Sequence, residues 1–352
     1  MNTSSVVGWT PEPQIRGTVG LLWGCLATIF LCTWNAVHVN LPGRNETAWH
    51  VFWRRVVYMF NALMAPELVC VLALGDHWHA RAVQAKSPGW SLAQSFFLIM
   101  GGFVVQHGDE TLCLCHEDML ELFTTNTLRW PEASLEPQIR DRSKSDGAVK
   151  ALALLQATWF VAQVVGRAAQ GLPTTTLELF TLGMISCTLC TYIAWWDKPF
   201  DVREPVILEL SKESVIPGRM KSCGRIDLMY EQGNFRASSR TGMSITVGIT
   251  LLFGALHLVG WGFFFPTEME RWLWRGSSVA CTIMPLLMLS LNYKEWWDRC
   301  GEFVEEWLMT VMVWLYVVCR VYMLVEMFLS LRAVPADVYR TPQWSQYLPS
   351  FG

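Results

Sequence analysis

The feature that most limits how this chain can fold is a series of apolar runs, each close to twenty residues and nearly free of charge. At about 1.5 Å of rise per helical residue, roughly 20 residues cross a hydrocarbon layer of about 30 Å. Runs of this kind occupy 18–39, 56–74, 150–166, 177–196, 244–265, 277–292 and 307–331. A shorter run at 91–106, "SLAQSFFLIMGGFVVQ", carries a Gly-Gly pair and either spans or dips in. Hydrophobic residues make up 52% of the 352 and charged residues 16%, against about 25% charged in an ordinary soluble domain. The expected fold is therefore all-α: a polytopic transmembrane helical bundle with seven or eight spans. Residues 1–17 form a short extramembrane segment, 18–331 the bundle with a cytoplasmic loop at about 197–243, and 332–352 an extramembrane tail.

Several classes fall away on the same grounds. A net charge of -3 and a pI near 6.2 offer no electrostatic footprint for nucleic acid. The partners expected are the lipid bilayer and a lipophilic small molecule. Of the 11 cysteines, Cys25, Cys32, Cys187, Cys190, Cys281 and Cys319 lie inside apolar runs, where cysteine behaves as a small hydrophobe and not as part of a disulfide framework. The first run is not a cleavable signal in form, because its leader has no basic region and its core is too long. No fixed-period repeat, phosphate-binding loop, dinucleotide fingerprint, nucleophile elbow or zincin motif is present, and no cofactor or metal is implied.

Lysine and arginine counts on the connections do not separate seven spans with the amino terminus inside from eight with it outside. Both models place 197–240 in the cytoplasm and the carboxyl terminus outside, and eight spans are favoured because 91–106 carries no charge. Sequons at Asn2 ("NTS") and Asn45 ("NET") report opposite amino-terminal orientations, since glycans are added on the lumenal side. An endoplasmic-reticulum or other endomembrane location is expected, with the plasma membrane as the alternative.

Many polar features at run ends have local explanations. Trp195 and Trp196 in "WWDKPF", and Trp296 and Trp297 in "EWWDRC", stand where a span meets charge and fit interfacial belts. Thr175 and Glu178, after Gly171 and Pro173, form a capping-box pattern. Ser145 and Asp146 read as helix-start signals, and Glu302, Glu305 and Glu306 as first-turn acids that complement a helix dipole. "QHGDETLCLCHED" offers His107, Asp109, Cys113, Cys115 and His116, but in a spacing that fits a solvated acidic loop better than a zinc site. His77 and His79, beside Trp78, read as an interface.

Deeper in the runs the signal is stronger. Glu67, His257 and Arg320 fall near the middles of theirs, where charge is expensive, faces the bundle interior and marks a functional path. Pro66 kinks its helix beside Glu67. Arg320 and Glu326 are six residues apart and cannot pair on one helical face, so Glu67 is the expected partner of Arg320. Gln156 and Gln163 read as interhelical glue. Asn35 and His38 suit either a pocket mouth or backbone bonds at the interface. Trp159, Trp261 and Trp314 suit either an aromatic wall around a greasy ligand or plain core.

The segments "LLWGCLATIFLCTWNAVHVNLP", "SKSDGAVKALALLQATWFVAQVVGRAAQGLPTTTLELFTLG", "WWDKPFDV" and "YMLVEMFLSLRAVPADVY" resemble a large group of fungal multi-span membrane proteins, mostly of unassigned function. That resemblance runs along most of the chain and implies a role beside natural-product gene clusters, some of whose membrane proteins are cyclases. The chain lacks the aspartate-rich diphosphate motifs of prenyltransferase-like enzymes. Two classes of function fit. One is a membrane-embedded cyclase-like enzyme or accessory factor for a lipophilic intermediate of secondary metabolism, with Glu67 as catalytic acid or base and Arg320 or His257 tuning it. The other is a receptor, transporter or channel-like protein with the same residues as a midplane site.

Overall fold

The computed structural model describes residues 6–8, 16–43, 46–107, 110–131, 136–137, 139, 146–210, 240–291 and 302–342. Asn2, Asn45, Asp109, Ser145, Trp296 and Trp297 lie outside that set, as do the side chains of Asp146, Glu302 and Glu305. In chain order the described elements are β1 (Val6–Val7), α1 (Thr18–Trp34), α2 (Ala48–Met64), α3 (Pro66–Lys86), α4 (Leu92–Ile99), β2 (Phe103–His107), β3 (Glu110–Leu112) and α5 (His116–Thr124). They continue as α6 (Asp146–Ala169), α7 (Thr176–Ala194), β4 (Val206–Glu209), α8 (Arg240–Val259), α9 (Glu268–Leu291), α10 (Glu302–Leu329) and β5 (Val334–Pro335).

The architecture is helical, as the runs predict, but fewer helices than expected are long and apolar enough to cross a membrane. Four stretches qualify: Lys150–Ala169, Thr176–Ala194, Ser244–Gly262 and Glu306–Arg332. A fifth arises only if α2 and α3 count as one bent span. Within the bundle α7 is central, with 72% of its apolar window buried, against 22% for α10. The outer helices also carry exposed apolar faces, where a soluble bundle would place polar residues. On α10 Trp314, Val318, Val321 and Val325 are exposed, while Tyr316, Arg320 and Glu326 are buried.

The run at 56–74 is not one continuous helix. Ala65 precedes a proline, which disfavours helical backbone there, and it adopts φ -145° and ψ 73°. Pro66 then opens α3 at a position where its missing N–H costs nothing. The axes of α2 and α3 differ by 113°, so the chain turns back on itself. Both outer ends of the pair lie at one end of the bundle. Arg55, in the second turn of α2, donates to the Trp34 carbonyl at the end of α1 (3.3 Å). Asp76, in α3, accepts from the Trp195 indole just beyond α7 (3.0 Å).

That end carries a small packed subdomain absent from the sequence reading. Its sheet has strand order β3-β2-β4. β2 runs parallel to β4, with Val105 opposite Leu208, and antiparallel to β3, with Val105 opposite Leu112. The run at 91–106 lies at its centre and is not a span. Ser91 and Gln94 form a reciprocal cap on an eight-residue helix, α4. Gly101, at φ +78°, and Gly102 close it by donating to Leu98 and Phe97 (3.0 and 2.8 Å), a Schellman ending that only glycine accepts readily. The apolar side chains Phe96, Phe97, Phe103 and Val105 bury against Trp90, Phe123 and Trp195. A run this short is better explained by a protein core than by lipid.

At the opposite end β1 and β5 meet. β1 pairs antiparallel with β5, Val7 opposite Val334, and Thr18 bonds Tyr339 (2.9 Å). Arg167 has no exposed surface and donates to the carbonyls of Pro173 and Val338 (2.6 and 2.9 Å), which ties the α6–α7 turn to the returning chain. The Thr175–Glu178 capping box forms as its pattern predicts, and Glu178 also pairs with Arg16.

Candidate functional site

Glu67, His257 and Arg320 converge where α2 breaks into α3. About nine residues of helix, or roughly 14 Å, separate Glu67 from Asp76 at the subdomain end, so the carboxyl stands well inside the bundle. Glu67 is 5% exposed, His257 1% and Arg320 0%.

The direct bonds differ from the expected Glu67–Arg320 pair. Glu67 Oε1 accepts from the Tyr316 hydroxyl. Arg320 Nε donates to the Met64 carbonyl (2.9 Å), and Arg320 Nη1 to His257 Nε2 (3.0 Å). The break makes this possible. Leu68 N–H turns to the Ala65 carbonyl (3.1 Å), which leaves the Met64 carbonyl to accept from Arg320 and from Tyr316 (3.3 Å). Arg320 and Glu67 therefore act on each other through space and through Tyr316 and the Met64 carbonyl, not through a shared hydrogen bond.

His257 has one tautomer consistent with its partners. Its Nδ1 meets the Phe253 carbonyl (2.8 Å), which only accepts, and its Nε2 meets a guanidinium, which only donates. The ring is neutral with the proton on Nδ1. The Arg320 guanidinium also lies over the rings of Phe253 and Phe180, at 4.6 and 4.9 Å, where ring quadrupoles stabilise a desolvated cation. Two buried polar atoms in the cluster, Glu67 Oε2 and Arg320 Nη2, have no hydrogen-bond partner among the described residues.

Tyr316 was not foreseen, although the signal was present: it lies four residues before Arg320, on the same face of α10. Other expectations resolve differently. Trp195 is not an interfacial belt residue, because it is fully buried. Its indole N–H and the Lys198 ammonium (2.7 Å) both reach Asp76 Oδ2, and Lys198 Nζ lies 4.5 Å from the Trp195 ring centre. Its neighbour Trp196 is 60% exposed, as a belt requires. Trp159, Trp261 and Trp314 all face outward and build no aromatic wall. Gln156 bonds Thr28 across helices (3.0 Å), the expected interhelical contact. His38 is buried between Trp195 and Phe200 and bonds the Ala36 carbonyl, the backbone alternative. No group of three histidine, cysteine or acidic residues among the described residues is arranged to hold a metal ion.

Fold and site together define a helical bundle with several candidate membrane spans, built around an interrupted helix that carries a buried carboxyl. The chain belongs to a family of unknown function, DUF8562, whose profile matches residues 1–87, 79–244 and 290–351. Glu67, Tyr316 and Arg320 fall inside the matched segments and His257 outside them. Neither a curated protein nor a solved structure matches the chain.

Proposed function

We propose that this chain is an integral membrane protein of an endomembrane. In this reading α1, α6, α7, α8, α9 and α10 cross the bilayer, α2–α3 enters and turns back, and the subdomain is cytoplasmic. The outward-facing apolar stripes support the bilayer, and the pairing of β1 with β5 supports an even number of crossings between them. The chain leaves α7 at the subdomain end, and the basic residues of the connection that follows support that end being cytoplasmic. Six crossings replace the seven or eight suggested by run length.

We further infer that it acts on a lipophilic intermediate of fungal secondary metabolism, as a cyclase-like enzyme or accessory factor, with Glu67 as the acid. One observation carries this reading: the Glu67 carboxyl has one oxygen held by Tyr316 and the other, Oε2, buried without a partner. Buried polar atoms are nearly always bonded, so such an exception marks a site. With Oε1 accepting from Tyr316, a protonated Glu67 carries its proton on Oε2. That proton passes to a substrate double bond or epoxide, and the carboxylate left behind takes one back when the product cation loses a proton. Arg320 and His257 position the pair and do not exchange protons with the substrate.

Comparing the lipophilic metabolites of a strain lacking the gene with those of its parent tests the reading. One precursor should accumulate, and wild type should clear it while Glu67→Gln, present in equal amount, should not. Full clearance by Glu67→Gln would exclude the acid role. The interrupted helix also suits a midplane transport or sensing site. Unchanged metabolites with altered uptake would favour that reading instead.

A further inference from the structure

A second polar cluster lies at the subdomain end, where α2 starts. Asn40, Val51, Arg54, Arg55, Asp201 and Arg203 line a small surface cleft with a cavity volume of ≈ 30 Å³. Arg54 and Arg55 are largely withdrawn from solvent, with side chains 11% and 16% exposed. Glu46 holds Arg54 (2.7 Å). Asp201 is shared between Arg55 (3.8 Å) and Arg203 (3.4 Å). Asp201 is one of two non-glycine residues with positive φ among those described (+53°), a backbone held where its carboxylate reaches both arginines. The cleft thus sets three guanidinium groups against two carboxylates. The buried Nε atoms of Arg54 and Arg55 and the buried Oδ1 of Asn40 have no partner among the described residues.

The outer face of the same helix points to the occupant. Trp49, Phe52 and Trp53 are exposed beside the arginine pair, and Trp49 packs edge-on against Trp53 at 5.5 Å. In the bilayer reading, the 113° bend between α2 and α3 brings the start of α2 back to the membrane surface. Aromatic side chains of that kind sit at headgroup level, and arginine is the residue best matched to phosphate oxygens. We propose that the cleft binds the phosphate of an anionic phospholipid, whose acyl chains lie along the exposed aromatic face of α2. The proposal rests on the bilayer reading above.

The full-length protein, extracted from vesicles of equal parts phosphatidic acid and phosphatidylcholine, should retain phosphatidic acid preferentially when bound lipids are weighed by native mass spectrometry. Arg203→Gln, at a 62% exposed side chain and therefore safe for folding, should weaken that preference about fivefold, and so should Arg54→Gln. Arg203→Lys should keep most of it. Equal retention of both lipids, or a preference untouched by either glutamine substitution, overturns the cleft. Displacement of the lipid by glycerol phosphate at equal concentration overturns it too, because the ligand is then a free phosphate. Protein that stays soluble without detergent instead refutes the bilayer reading on which the cleft depends.

Discussion

Arg320 has no exposed surface, yet its role is to satisfy other groups: a helix-end carbonyl at Met64, the Nε2 of His257 and, through space, the carboxyl of Glu67. Removing Arg320 leaves the Met64 carbonyl and His257 Nε2 without their donor and, whenever the Glu67 carboxyl is ionised, strands that charge, at a cost of about 3–5 kcal/mol. Arg320→Met should therefore be severely destabilising in detergent. Glu67→Gln keeps an acceptor for Tyr316 and should cost no more than about 1.5 kcal/mol. In the double variant no stranded carboxylate remains, so it should be more stable than Arg320→Met alone. Thermal unfolding of the four proteins checks this, and costs that simply add would show that the two residues are uncoupled. The sequence disclosed Glu67, His257 and Arg320 because ionisable residues inside apolar runs are rare. It hid their bonds, because the Met64 carbonyl that organises them is a backbone atom released by a break in a helix.

At the level of elements, the clasp between α3 and the chain after α7 carries a pH signature. Burial holds the Lys198 ammonium below its ordinary value of 10.5 even though Asp76 favours the charge. Between the lowered folded value and 10.5 the unfolded chain binds more protons, so stability should rise with pH across that window, with the full cost of burying the charge felt below it. Unfolding midpoints of wild type and Lys198→Met, followed toward pH 10.5, should converge or cross as wild type gains. A wild type that loses stability there, or a variant with the same slope, would contradict the account. Element boundaries were legible where local chemistry sets them, as at the Thr175–Glu178 cap. They were misread at 91–106 and at Trp195. There apolar and aromatic residues face a protein core contributed by distant segments, and hydrophobicity alone does not distinguish that core from lipid.

For the whole molecule, run length predicted a helical bundle but gave more candidate spans than there are helices long and apolar enough to cross a membrane among the described residues. Length reports how far a helix could reach and not whether the chain reverses at Ala65 and Pro66. The central claim is that reversal, since it is what brings Glu67 to Tyr316 and creates the site. The native sequon at Asn45 and one introduced at 87–89 flank the α2–α3 pair, and glycosylation in microsomes reports the side of each. If the pair turns back, both positions face the cytoplasm and stay unmodified, while a sequon on an extension after residue 352 is glycosylated. Modification of one flanking position but not the other would mean that α2–α3 crosses the bilayer, and the account of the site would fail with it.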